Sequence, residues 1–138
     1  MRQFGIEIEF YGMQNNMLAV CSALRAAGLN VHAEDYNHAT RSYWKLVTDS
    51  SVNGKPNGME LVSPVLNADA EGLAQVALAM NTLKALGCQV DRKCGFHVHV
   101  NARALNVNGF RNVVKSFVKF ENFFDAVVAP SRRGSVNV

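Results

Sequence analysis

Three observations predict an α+β fold, a largely antiparallel sheet with helices packed on one face. The run Gly5-Ile6-Glu7-Ile8-Glu9-Phe10 alternates without a break, as a strand does when successive side chains leave opposite faces. Phe96-His97-Val98-His99-Val100 repeats the pattern with histidines in the polar slots. Between and after these runs, apolar residues at helical spacing alternate with further short strands, giving the order β-α-β-β-α-β-α. Strands with one apolar and one polar face suit a sheet that helices cover on a single side.

The elements follow in order. Gly12 breaks the first strand, and Met17, Leu18, Cys21 and Leu24 then recur at helical spacing before Gly28 stops the helix. Leu29 to Ala33 reads as a short strand, and Glu34 to Arg41 as a polar loop with His32 and His38 solvated at or near it. Trp44 to Thr48 and Met59 to Ser63 read as a hairpin joined by a wide turn over 49–58, and Pro64 closes it. Asn67 or Asp69 caps a helix whose face is Leu73, Val76, Ala77, Met80 and Leu83, with Gly87 as its stop. Gly95 marks a bend or bulge before the histidine strand. In the last helix, capped by Asn108 and ended by Pro130, Phe110, Val113, Val114, Phe117, Phe120, Phe124 and Val127 form a broad stripe that reads as core.

Composition narrows the class. A chain of 138 residues is long enough for one domain over 1–138, and 49% hydrophobic with 18% charged residues excludes disorder. No apolar run approaches the ~20 residues of a membrane span, and no signal-peptide layout opens the chain. The net charge of +3 is scattered apart from Arg132-Arg133, so neither a nucleic-acid partner nor a membrane surface is expected. Three cysteines without CxxC spacing suggest a reducing, cytoplasmic setting and no thiolate zinc knuckle; Cys21 fits the core stripe of its helix.

The polar slots carry the chemistry. Glu7 and Glu9 share one strand face about 7 Å apart, two rises of ~3.4 Å. His97 and His99 share a face in the same way, and Glu60 is the lone acid of its strand. Ordinary solvated faces mix Lys, Thr, Ser and Glu, whereas these hold only Glu or only His. Should Glu7, Glu9, Glu60, His97 and His99 point to one side, the pocket would suit Mg²⁺ or Mn²⁺ with a nucleotide first, and mononuclear zinc second. The chain has no Walker loop, GxGxxG, HExxH or GxSxG motif.

Together these residues resemble a known family. Gly5 to Phe10, Trp44 with Asp49-Ser50-Ser51, Gly58 to Pro64 and Cys94 to Val100 look like the successive motifs of the amidoligases. That family is a branch of the carboxylate-amine ligases related to glutamine synthetase and gamma-glutamylcysteine synthetase. The resemblance implies a curved, glutamine-synthetase-like sheet and an ATP- and Mg²⁺-dependent reaction, with Mn²⁺ as a substitute. ATP would phosphorylate a carboxylate, and an amine would attack the acyl phosphate to give an amide or isopeptide bond. Carried over, Glu7, Glu9 and Glu60 would hold metal, and His97 and His99 would ligate it or bind phosphate oxygens. Asp49 would position the amine or a metal-bound water, and Arg132 would neutralise phosphate charge. Substrates would be small-molecule or peptide carboxylates and amines.

The resemblance covers what corresponds to the family's N-terminal half, so the sheet is expected to be partial, with an open edge that favours a homodimer. Two other readings compete with the ligase. One is a metal-dependent hydrolase built on His97, His99 and a glutamate; the other is a catalytically incomplete ligand-binding module.

Overall fold

The computed structural model describes residues 2–12, 16–50, 52 and 58–133, in two compact units, Met1–Asn101 and Ala102–Val138. It is α+β: a mixed, open sheet of six strands, with helices. In chain order the first unit runs β1 (Gln3–Tyr11), α1 (Met17–Ala26), β2 (Val31–Ala33), β3 (Trp44–Thr48), β4 (Gly58–Val62), β5 (Leu66–Asn67), α2 (Ala70–Ala85) and β6 (Phe96–Val100). The second contains α3 (Val107–Lys119), α4 (Glu121–Val127) and a 3-10 turn, Pro130–Arg132. Of the wide turn expected over 49–58, residues 51 and 53–57 lie outside the described residues. No described helix is long and apolar enough to cross a membrane.

β1 is the central strand. One edge pairs antiparallel with β4, from Glu7 opposite Val62 to Tyr11 opposite Gly58. The other pairs antiparallel with β6, from Phe4 opposite Val100 to Ile8 opposite Phe96. Beyond β4 lie β3, antiparallel to it, and then β2, parallel to β3. The sequence does not reveal β5, which returns to β1 and sets Leu66 opposite Phe4. Since β6 already holds the other edge at Phe4, β5 continues the edge that β4 began.

Between β4 and β5 the register slips by one residue, a bulge at Ser63-Pro64-Val65. Ser63 repairs the ladder there: its amide donates to the Ile6 carbonyl at 2.9 Å, and its Oγ accepts from the Ile6 amide at 2.9 Å. Proline, with no amide proton, fits the interruption.

The apolar face of the sheet carries Ile6, Ile8, Phe10, Trp44, Leu46, Met59 and Leu61, all within the core. α1 closes over it with Val20, Cys21 and Leu24, and α2 with Ala79 and Leu83. Trp44 Nε1 also donates to Gln75 Oε1 at 3.2 Å, tying sheet to helix. The caps are Asn16 for α1 and Asp69 for α2, each accepting from an amide of its first turn. Both helices end with a glycine at positive φ, Gly28 at 107° and Gly87 at 73°.

Two sequence expectations are corrected. α2 is rotated by about one residue from the face read off its periodicity: Gly72, Ala79 and Leu83 are buried, while Leu73 and Met80 are exposed. The cause is the close approach of its first turn to β5, where a Cβ on Gly72 would stand 2.0 Å from the Asn67 carbonyl oxygen. The last helix is broken: Asn106, not Asn108, caps α3, and the helix gives way at Phe120 to α4. Seven residues of straight helix would advance about 10 Å, so the bend is what lets Phe117 and Phe124 stack at 5.0 Å. Within its own unit the phenylalanine stripe is not enclosed, because two short helices cannot cover a face this broad, and no residue of α3 or α4 is buried.

Gly72→Ala should cost at least about 1–3 kcal/mol in urea denaturation, because the opposing atom is backbone and cannot step aside. Leu73→Ala, one position on, should change stability by no more than about 0.5 kcal/mol. Reversed costs would mean that the helix face read from the sequence is right.

Candidate functional site

Residues paired laterally across a sheet share a face, so the register alone assembles the polar side. One row across the strands reads His97, Glu7, Val62, Lys45, His32. The next places Glu60 between Glu9 and Val47. Glu7, Glu9, Glu60, His97 and His99, predicted from alternation, therefore stand together on the face opposite α1 and α2.

The side chains complete the cluster. Glu7 is gripped by both histidines: His97 Nδ1 lies 2.9 Å from Oε2, and His99 Nε2 lies 3.2 Å from Oε1. With Nδ1–H given to Glu7, a neutral His97 presents Nε2 as a lone pair. That nitrogen is 3.8 Å from Glu9 Oε1. Glu9 is buried, and its Oε2 accepts from the Gly95 amide at 2.7 Å. The Glu9 amide in turn donates to the Gly95 carbonyl at 3.0 Å. Gly95 is neither the bend nor the bulge expected from the sequence, since it lies opposite Glu9 in line with the β1–β6 register. Its role is space, because a Cβ there would lie 2.7 Å from His97 Nε2 and 2.8 Å from Glu9 Oε1. Glycine thus keeps open the space between the two side chains.

The electrostatics follow from crowding like charges. Burial, then the negative charges of Glu7, Asp49 and Glu9, push Glu60 up to about 7, with His97 acting in the opposite sense. Burial also acts to raise Glu7, but hydrogen bonds and charge from His97 and His99 outweigh it and hold Glu7 below the usual range. The hydrogen bond to Glu7 raises His97 against the effect of burial. At neutral pH, then, Glu60 is poised between its acid and its carboxylate.

One donor atom each from Glu7, Glu60 and His97 lies within 4.8 Å of the others. Two carboxylates with one imidazole fit Mg²⁺ or Mn²⁺ by donor chemistry, and the raised Glu60 is what a group facing an unneutralised negative field shows. Of the expected metal residues, Glu9 stands apart from this trio, tied to Gly95. Asp49, just past β3, is near enough to Glu60 to raise its pKa. Arg132 belongs to the 3-10 turn of the second unit. Sequence reasoning missed the Glu9–Gly95 link, since nothing local joins residues 86 positions apart. It also missed Lys45, which takes the polar-face slot of β3 between Trp44 and Leu46 and is buried there, a burial that local alternation does not announce.

A family model described as "Putative amidoligase enzyme" matches residues 1–137. The chain belongs to this amidoligase family. No curated protein and no solved structure matches the chain. Membership points to a ligase-type function for this amidoligase chain and places the acid and histidine strands within the matched region.

Two outcomes check the electrostatics. Carboxyl NMR should find Glu60 titrating near pH 7 in the metal-free protein, and Glu7→Gln should lower that value by removing a like charge. Because its folded pKa lies above the unfolded value of about 4.3, Glu60 favours the fold below pH 4. That contribution fades as pH rises through 7, so metal-free stability should fall from pH 5 to 8. In Glu60→Gln this part of the fall should vanish. A second variant, Gly95→Ala, should keep the far-UV circular dichroism of the wild type yet weaken Mn²⁺ binding at least ten-fold.

Proposed function

We propose that this amidoligase is an ATP- and Mg²⁺-dependent carboxylate-amine ligase. The observation that carries the reading is the convergence of Glu7, Glu60 and His97 on one point of an open sheet face. In the proposed reaction a substrate carboxylate oxygen attacks the γ-phosphorus of ATP and ADP leaves. The amine then attacks the acyl carbon, phosphate leaves, and the amine gives up a proton. The product is an amide or isopeptide bond, formed from a small-molecule or peptide carboxylate.

Glu7, Glu60 and His97 would hold the divalent cation, which supplies charge neutralisation and alignment for the phosphoryl oxygens. Glu60 loses its proton to act as a ligand, so cation binding and proton release are linked. His99 braces Glu7 from the far side of His97 and can turn a donor toward phosphate. Glu9 positions the chain entering β6 through the Gly95 amide. Asp49, whose charge acts on Glu60, would orient the amine or a metal-bound water.

The test is calorimetry with a non-hydrolysable ATP analogue and Mg²⁺. Wild type should bind with proton release that grows as pH falls below 7, while Glu60→Gln and Glu7→Gln should lose at least ten-fold in affinity. Tight binding of a transition metal with no nucleotide binding would overturn the ligase in favour of a metal-dependent hydrolase.

A further inference from the structure

The loop from β2 to β3, residues 34–43, is held by a polar network that the reaction above does not use. Lys45 lies on the site face and is only 4% exposed. Its Nζ donates to the carbonyl oxygens of Asn37 at 2.5 Å and Ala39 at 3.0 Å, and to Asn37 Oδ1 at 3.1 Å. These contacts stand residues 37–39 over Lys45, on the side of the sheet that bears the carboxylates. Glu34 accepts from Arg41 Nε at 3.0 Å and Nη2 at 2.9 Å, from the Tyr43 hydroxyl at 2.5 Å and from Asn37 Nδ2 at 2.9 Å. These bonds, Arg41's first, hold the Glu34 carboxyl down at about 2. Asn37 thereby joins the two halves, and the Glu34 amide anchors the whole to the Leu46 carbonyl at 3.0 Å. The segment is the polar loop expected, with His32 and His38 exposed, and this network makes it a wall on one side of the site.

The wall turns an aromatic corner outward. Tyr36 is 58% exposed, and its ring meets that of the exposed His38 edge-on, centroids 5.2 Å apart and planes at 78°. A flat group can stack on the free face of one ring while its edge meets the other. The cations built into the wall are taken up, Arg41 by Glu34 and Lys45 by carbonyls. The corner therefore offers ring faces and ring nitrogens, which suit an uncharged planar heterocycle better than an anion. Lys45 stands two strands from Glu7 in the same lateral row, about 10 Å at the usual ~4.8 Å strand spacing. A nucleotide with its phosphates at the glutamate–histidine cluster can lay its base there.

We infer that the 34–43 loop is a base platform, on which Tyr36 and His38 stack the heterocycle of the nucleotide while Lys45 and Glu34 act as positioning residues. The inference rests on the nucleotide reading of the site and assigns that nucleotide a second point of recognition. Rigid support makes such a corner effective, because little ordering remains to be done on binding.

The experiment compares two probes by calorimetry at pH 8 with Mg²⁺: a non-hydrolysable ATP analogue and inorganic tripolyphosphate, which has no base. Tyr36→Ala/His38→Ala removes two exposed side chains and should stay folded. It should weaken the analogue about ten-fold or more, the scale of losing an aromatic–base stack, and leave tripolyphosphate unchanged. Lys45→Met should show the same split, which a general loss of stability would not produce, and Tyr36→Phe should restore wild-type affinity. Equal binding of the two probes by wild type, or equal losses in the variants, would overturn the platform and leave the ligase reading standing. Failure of wild type to bind either probe would overturn both.

Discussion

Everything at the site depends on β1 being paired along both edges. A strand with two ladders cannot rotate or slip, so its alternation becomes a fixed division of the molecule into an apolar side and an acidic side. Register then brings Glu60 beside Glu9 and His97 beside Glu7. Carboxylates held this close repel, and the fold answers each differently. Glu7 is met by two imidazoles and Glu9 by a backbone amide, while Glu60 carries the remaining imbalance as a raised pKa. A site that keeps one acid near half-protonated at neutral pH holds electrostatic strain. Core packing on the other face of the same strand supplies the stability that holds the strain in place.

The two faces are also finished differently. α1 and α2 close the apolar side over β1, β3 and β4, and their layer stops short of β6, where Phe96, Val98 and Val100 are each more than half exposed. Neither α1 nor α2 lies on the polar side. Its relief comes from the 34–43 loop, which stands on a buried lysine. An unpaired buried ammonium would be costly, and three carbonyl-type acceptors satisfy Lys45 only while the loop keeps one shape. The requirement to solvate one charge thus shapes a wall for the site.

The amphipathic second unit shows how far local signals reach. Its helical periodicity is strong enough to place a helix over the span of α3 and α4, but it reveals neither the break at Phe120 nor that Asn106 rather than Asn108 is the cap. Whether an apolar stripe is core, however, depends on what lies across from it, and periodicity carries no information about that. The same limit appears in α2, where Leu73 and Gly72 are neighbours in sequence and opposite in burial. Close backbone approach at Gly72 decided the rotation, and a hydrophobic count cannot detect a glycine that is needed for space.

The sequence by itself determined the helices of the first unit and its strands other than β5, the face on which each acid and histidine lies, and through four ordered motifs the amidoligase family. It could do so because alternation and helical spacing are local properties, set by backbone geometry within a few residues. Only the tertiary structure decided which of those side chains meet. The partnership of Glu9 with Gly95, the trio of Glu7, Glu60 and His97, the Ser63 repair at the β4–β5 bulge and the Lys45 support of the loop all join residues from separate elements. Their distances follow from strand register and loop closure, which the whole chain settles at once and no stretch of it encodes alone.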